Sequence, residues 1–202
     1  EDAIAQAARA LDEGLRTICL FPAMHRYALH DERVARVFEL AAGRAGAGKP
    51  IVVFVHCGVL SVGVRKKLKL PSAFEMRFGN PLDLHGHALK YPGVPIIIPH
   101  FGAGMLREAL MLPDYCPNVY LDTSSSNSWI KYIPGLTLEQ VFKTALDVAG
   151  PDRLVFGTDS SFFPRGWNGE VYQRQKAALN AIGLGDGARH AIFHDNFSRL
   201  FA

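Results

Sequence analysis

Apolar positions in this chain follow two alternating periods. Short unbroken apolar runs occur at residues 16–21 (RTICLF), 50–56 (PIVVFVH), 94–100 (VPIIIPH), 118–122 (NVYLD) and 153–158 (RLVFGT). They are rich in β-branched and aromatic residues and end at Gly, Pro or Ser, the pattern of buried strands. Between them, apolar residues recur at three- and four-residue spacing. Residues 31–42 put Val34, Val37, Phe38 and Ala41 on one stripe behind Asp31 as N-cap, and residues 137–149 open with Thr137 and Gln140 in capping-box spacing. Strand alternating with helix predicts parallel βαβ units. The acidic, alanine-rich start reads as an amphipathic helix. The end, HDNFSRLFA, reads as another, with Phe197, Leu200 and Phe201 docking on the outside of the last strand.

Three of these strands run out at a titratable residue: His56 after PIVVFV, His100 after VPIIIP and Asp159 after RLVFGT. Side chains two apart share a face of a strand. His56 therefore continues the row of Val52 and Phe54, His100 that of Ile96 and Ile98, and Asp159 that of Val155 and Gly157. If the rows point into a barrel, the three side chains meet at the C-terminal mouth, where barrel active sites are built. One such ending alone reads equally well as a core histidine or a helix cap. Three strands with the same ending point to a site.

Composition narrows the function classes. The 202 residues are 49% hydrophobic and 20% charged, ordinary for one globular domain over residues 1–202. The formal charge of +3 is spread out, and the one basic run, RKKLK at 65–69, lacks interleaved aromatics, so no nucleic-acid partner is expected. Cys19, Cys57 and Cys116 have no CxxC spacing, which argues for reduced thiols, a cytoplasmic protein and no disulfide framework. The apolar runs are strand-sized, so no membrane partner is expected either. No GxSxG elbow, phosphate loop or dinucleotide fingerprint appears. A closed (β/α)₈ barrel needs eight units. The five here, in a chain that starts at Glu1, give the expectation of an α/β, TIM-barrel-type domain that is N-terminally incomplete, with an open edge suited to forming a homo-oligomer.

The segments LHDERVARVFELA, VVFVHCG, YPGVPIIIPHFGAG, CPNVYLDTSS, RLVFGTDSSF and NFSRLF, in this order and spacing, resemble the amidohydrolase superfamily. The branch is the amidohydrolase-related one, with metal-dependent hydrolases and aminocarboxymuconate-semialdehyde decarboxylase-like enzymes. The resemblance runs over essentially the whole chain. It implies a distorted (β/α)₈ barrel in which the five strands are strands four to eight, with one divalent metal ion at the mouth. By the same resemblance His56 is a metal ligand, Asp159 is the metal-associated carboxylate and proton acceptor, and His100 acts on the substrate or on water. Imidazole and carboxylate donors suit zinc. The implied activity is hydrolysis, with metal-activated water attacking a small carbonyl compound, since a bound metal lowers the pKa of water from about 15.7 toward roughly 7. Two alternatives stay open: non-oxidative decarboxylation on the same scaffold, and a partial barrel without catalysis.

The chain departs from that family in one respect. The family's first strand ends in a His-x-His pair, and the spacing occurs here only at His85 and His87, inside a helical pattern where residues two apart diverge by about 200°. That pair is expected on the outer ring. RTICLF ends without Lys or Glu, so nothing supports a second bridged metal. For substrate contacts, Arg165 offers a fork for a carboxylate, with Trp167 beside it. Thr123, Ser124, Ser125 and Ser126 either line the pocket or cap a turn. Asp122 shares a face with Tyr120, pointing inward or buttressing the turn, and His25 and His30 lie in a loop within reach of the mouth.

Overall fold

The computed structural model describes residues 2–44, 49–61, 65, 67–160 and 166–201. Each predicted apolar run yields a strand: β1 (Thr17–Leu20), β2 (Val52–Val55), β3 (Ile96–Ile98), β4 (Val119–Asp122) and β5 (Leu154–Val155). All pair in parallel, in sequence order, in one sheet. Parallel neighbours need a crossover, usually helical, and helices Glu32–Arg44, His85–Lys90, Leu106–Tyr115 and Leu138–Ala149 occupy the four connections.

Local signals start these helices where the sequence places them. Asp31 accepts the backbone N–H of Arg33 at 2.9 Å. Thr137 accepts that of Gln140 at 3.3 Å, while the Gln140 side chain reaches back to the Thr137 N–H at 2.8 Å, a reciprocal capping box. Each such cap contributes about 1 kcal/mol.

The sheet has two apolar faces. Val53, Val55, Ile96, Ile98, Val119, Leu121 and Leu154 face the helices and pack in one core with Phe38, Ala41, Leu112 and Phe142. On the other face Val52, Ile97 and Val155 are joined by Phe54 and Tyr120 and covered by Leu200 and Phe201 of the last helix, Asn196–Phe201. That helix therefore crosses the face opposite the packed helices and does not dock outside the last strand, and Phe197 is left exposed. The buried Asn196 amide directs it there by donating to the carbonyls of Pro151 (2.8 Å) and Leu154 (2.7 Å), at the start of β5.

The phase of β3 also differs from the sequence reading. Ile96 and Ile98 lie on the helix-facing side and Ile97 on the other. VPIIIP is apolar at every position, so alternation carries no information there. Pairing sets the phase, with Ile97 level with Phe54 on one side and Tyr120 on the other.

Candidate active site

His56 follows β2 directly. Its backbone N–H donates to the Leu20 carbonyl at 2.9 Å, prolonging the β1–β2 ladder by one residue, so the side chain stays in the row of Val52 and Phe54. The residue is only 5% exposed, and the Phe21 ring lies stacked 6.0 Å away. Its Nδ1 has no hydrogen-bond partner among the described residues. Burial, and secondarily the neighbouring His100, pull its pKa down to about 4, leaving a neutral imidazole at pH 7. An unpaired buried polar atom costs roughly 1–3 kcal/mol.

His100 reaches the same place by a different route. Strand alternation would carry it to the helix-facing side with Ile98. Instead the chain turns left-handed at His100 (φ 57°, ψ 33°) and Phe101 (φ 52°, ψ 32°), and the His100 ring comes to 5.3 Å from that of His56. Two such non-glycine residues cost roughly 1–2 kcal/mol each. Fully burying Phe101, edge-on to Phe142 at 5.3 Å, returns about 1.5–3 kcal/mol. Close approach of the β2 loop completes the turn: a Cβ at Gly58 (φ 73°) would lie 2.0 Å from the Gly102 carbonyl oxygen.

The His100 ring is held from β4. Asp122, at its C-terminal end, sits on the face of Tyr120 and is buried. Its Oδ1 accepts the backbone N–H groups of Ser124 (2.9 Å) and His100 (3.3 Å), and it also accepts the Ser124 hydroxyl. With the hydroxyl proton directed at Asp122, Ser124 Oγ accepts from His100 Nδ1 at 2.8 Å. The network thus assigns the proton to Nδ1 and leaves Nε2 with its lone pair. Burial pushes the Asp122 carboxyl upward, opposed by His100 and by the donors of Ser124.

A further lock steadies the strand ends. Thr123 Oγ1 donates to Gln175 Oε1 at 2.6 Å, and the Gln175 amide donates back to the Thr123 carbonyl at 2.7 Å and to that of Gly157 at 3.5 Å. Both residues are buried, and together they tie β4 to the segment after β5 and to helix Gly169–Ala181. Gly157 is required there, because a Cβ would meet Asp122 Oδ2 at 2.7 Å.

Asp159 is exposed, with φ 55°, and it lines the same two cavities as His56 and His100. One, of about 460 Å³, is also walled by Phe21, Trp129 and Tyr132. The other, about 350 Å³, includes Asp122 and Ser124. The three strand-end residues are therefore gathered at one mouth. Ser124 faces the smaller cavity with its hydroxyl committed to Asp122 and His100, while Ser125 and Ser126 line the larger. Trp167 is set apart: 64% exposed and outside both cavity linings, it packs 5.8 Å from Phe156 and from Tyr172. Arg165 lies outside the described residues. His25 and His30 are exposed and line neither cavity. His87 binds the Leu29 carbonyl at 2.7 Å and stacks on Phe38 at 4.5 Å, on the outer, helical side.

Asp122 is the residue that sequence reasoning underweighted. Its place at the end of β4, in phase with Tyr120, was the available signal.

The donor set fits a metal ion in part. His56 and Asp159 line the same two cavities, and imidazole with carboxylate suits zinc. Among the described residues, however, no three ligand atoms at the mouth lie within 4.8 Å of one another, and catalytic zinc usually takes three protein ligands.

The profile of the amidohydrolase family matches residues 1–202, and the chain belongs to that family. Among solved structures it is similar to an uncharacterized TIM-barrel protein from Bordetella bronchiseptica (20% identity, TM-score 0.69, covering 98% of this chain and 61% of that one). It is also similar to 5-carboxyvanillate decarboxylase from Sphingomonas paucimobilis (14% identity, TM-score 0.62, 98% and 63%). A third is an amidohydrolase from Burkholderia multivorans with bound zinc (19% identity, TM-score 0.60, 100% and 71%). The fold is thus of TIM-barrel type, and the chain spans 61 to 71% of the length of these three structures.

Proposed function

We propose that the mouth of the sheet is the catalytic site of a metal-dependent hydrolase acting on a small carbonyl compound. The observation that carries this reading is the Asp122–Ser124–His100 chain, which fixes one tautomer of an imidazole 5.3 Å from a second, neutral and buried imidazole. His56 and Asp159, which line the same cavities, would hold one divalent ion, zinc by donor chemistry. When bound, such an ion makes water more acidic and polarises a carbonyl oxygen.

The chain's own groups do the rest. His100 presents Nε2 as a proton acceptor. Once protonated, the ring is stabilised by Asp122, whose Oδ1 is 3.9 Å from Nδ1, and it can return the proton to a leaving group. Asp159 supplies a second carboxylate for proton transfer at the mouth. Phe21 and Trp129 give the cavity apolar walls beside the polar side chains of Ser125, Ser126 and Lys131, groups able to hydrogen-bond a substrate. On sequence, Arg165 is the candidate to hold a substrate carboxylate.

A second reading is non-oxidative decarboxylation on the same scaffold. It is favoured by the similarity to 5-carboxyvanillate decarboxylase and uses His100 to deliver a proton to the carbon that loses carbon dioxide. One experiment separates the two. The chain is loaded with zinc or manganese and given a panel of lactones, amides and phenolic carboxylates, with water incorporation and carbon dioxide release both followed. Hydrolysis that disappears in His100→Ala supports the first reading. Carbon dioxide release without water uptake supports the second, and turnover unaffected by His56→Ala, Asp159→Ala and His100→Ala overturns both.

A further inference from the structure

Next to β5, on residues that line neither cavity of the mouth, a second group of ligating side chains converges. After helix Asp186–His190, residues Ala191–Asp195 form one turn of π-helix. The backbone N–H of Asn196 reaches the Ala191 carbonyl, five residues back. In an α-helix, residues five apart lie about 140° from each other around the axis. A π turn closes on i+5 and brings them nearer to one face, and here the Asp195 carboxylate comes within reach of the His190 ring. His190 Nε2 is 3.2 Å from Asp195 Oδ1, and His194 Nδ1 is 2.9 Å from the same oxygen. The two imidazole rings lie nearly parallel, 5.1 Å apart. One ligand atom from each of the three falls within 4.8 Å of the others.

We propose that His190, His194 and Asp195 form a surface site for a divalent late first-row transition ion, independent of the mouth. Two imidazoles and one carboxylate are the donor types such ions prefer, zinc and nickel among them. At the usual bond length of about 2.0–2.1 Å, tetrahedral coordination places ligand atoms about 3.3 Å apart, near the 3.2 and 2.9 Å that separate each imidazole nitrogen from the Asp195 oxygen. The three side chains are 66, 63 and 51% exposed, which gives them the freedom to admit an ion and leaves coordination positions for water. The flanking guanidiniums make their hydrogen bonds elsewhere, Arg189 with Asp186 and Asn180, Arg199 with the Asp152 carbonyl and Asn196, although the Arg199 charge still acts on Asp195. The hydrogen bond from His194 holds the Asp195 carboxyl below its ordinary range, keeping it ionised. Binding requires neutral imidazoles: as the ion enters, a nitrogen that points a proton at Asp195 gives it up to solvent or the ring takes its other tautomer, so that each ring's one remaining proton sits on the nitrogen facing away from the ion.

An ion there would also bear on the fold. Between the two histidines, Ile192 accepts the backbone N–H of Phe156 at 3.1 Å and Phe193 packs on the Phe156 ring at 5.0 Å. The turn that holds the ion therefore braces the segment leading from β5 to Asp159.

The test titrates zinc alone into the full 202-residue chain without a tag, by calorimetry and by thermal unfolding, for wild type, His190→Ala, His194→Ala, Asp195→Asn and His56→Ala. We expect a site that His56→Ala retains and that each of the two His→Ala variants weakens at least tenfold, with the zinc-dependent rise in melting temperature lost in parallel. The untagged wild type should also be retained on immobilised nickel, and His194→Ala should elute earlier. Zinc affinity and nickel retention unchanged in His190→Ala and His194→Ala would overturn the proposal. So would zinc binding lost only in His56→Ala, an outcome that would leave the reading of the mouth intact. Because the three side chains are exposed, melting temperatures without metal should match wild type and serve as the folding control.

Discussion

The Ser124 hydroxyl stands between Asp122 and His100, donating to the carboxylate and accepting from Nδ1 at 2.8 Å. Together with the His100 N–H that Asp122 accepts at 3.3 Å, this bridge connects the end of β4 to the turn after β3. It converts a buried acid, which on its own would be costly, into the group that orients an imidazole.

Ser124→Ala should break that orientation without unfolding the chain, since little volume is lost. Nitrogen NMR of the imidazole is expected to show the Nδ1–H tautomer of His100 in wild type and a mixture in Ser124→Ala. Any turnover detected should fall about 10- to 100-fold, a fraction of what a positioned acid–base group supplies, with Ser124→Thr restoring most of it. An unchanged tautomer in Ser124→Ala would show that the hydroxyl does not set it.

Stability should depend on pH through His56. Its folded pKa of about 4 lies below the unfolded value of roughly 6.5, so between these values the unfolded chain binds the extra proton. The metal-free protein is therefore most stable above about pH 6.5 and loses stability as the pH falls toward 4, by up to about 3 kcal/mol from this residue. Urea unfolding of wild type and His56→Gln at pH 7 and pH 4.5 checks this: the pH-dependent difference should shrink in the variant.

Gly58→Ala should cost at least about 3 kcal/mol, or prevent folding, because the added Cβ meets two backbone carbonyls at a positive φ. Gly157→Ala differs in kind, because its Cβ strikes the Asp122 carboxylate. It should disturb the His100 tautomer more than the unfolding midpoint, and the same NMR and urea measurements separate the two effects.

Native thiol titration should find one accessible cysteine, slower than a free thiol because partial burial raises the Cys19 pKa as well. Cys19 is exposed, whereas Cys57 and Cys116 are buried, and burial pushes the Cys57 thiol far up, leaving almost no reactive thiolate. One equivalent is expected to react with a disulfide reagent in buffer and three in denaturant.

All five strands and the helices with Asp31 and Thr137 caps were legible in the sequence because each carries a local signal: an apolar run with a breaker, or a hydroxyl or carboxylate at the right spacing. The gathering of His56, His100 and Asp159 was legible too, but for His100 the stated reason was wrong. Alternation cannot be read in a run such as Ile96-Ile97-Ile98, and the left-handed turn that redirects the ring is a property of Gly58, Gly102 and Phe101 acting together. The role of Asp122 depends on a contact with Ser124 and His100 across two strands, which no local spacing encodes. The π turn at Ala191–Asp195 is equally silent, since HDNF has the composition of an ordinary helix start.

In the turn after β3, His100 and Phe101 share one peptide unit, yet one ring faces the mouth and the other is sunk among the helices against Phe142. That peptide carries the core on one arm and the chemistry on the other. Changes in the size of residue 142, on a helix that never touches the cavity, would tilt the His100 ring, so that selection acting on core packing and selection acting on reactivity fall on the same few atoms.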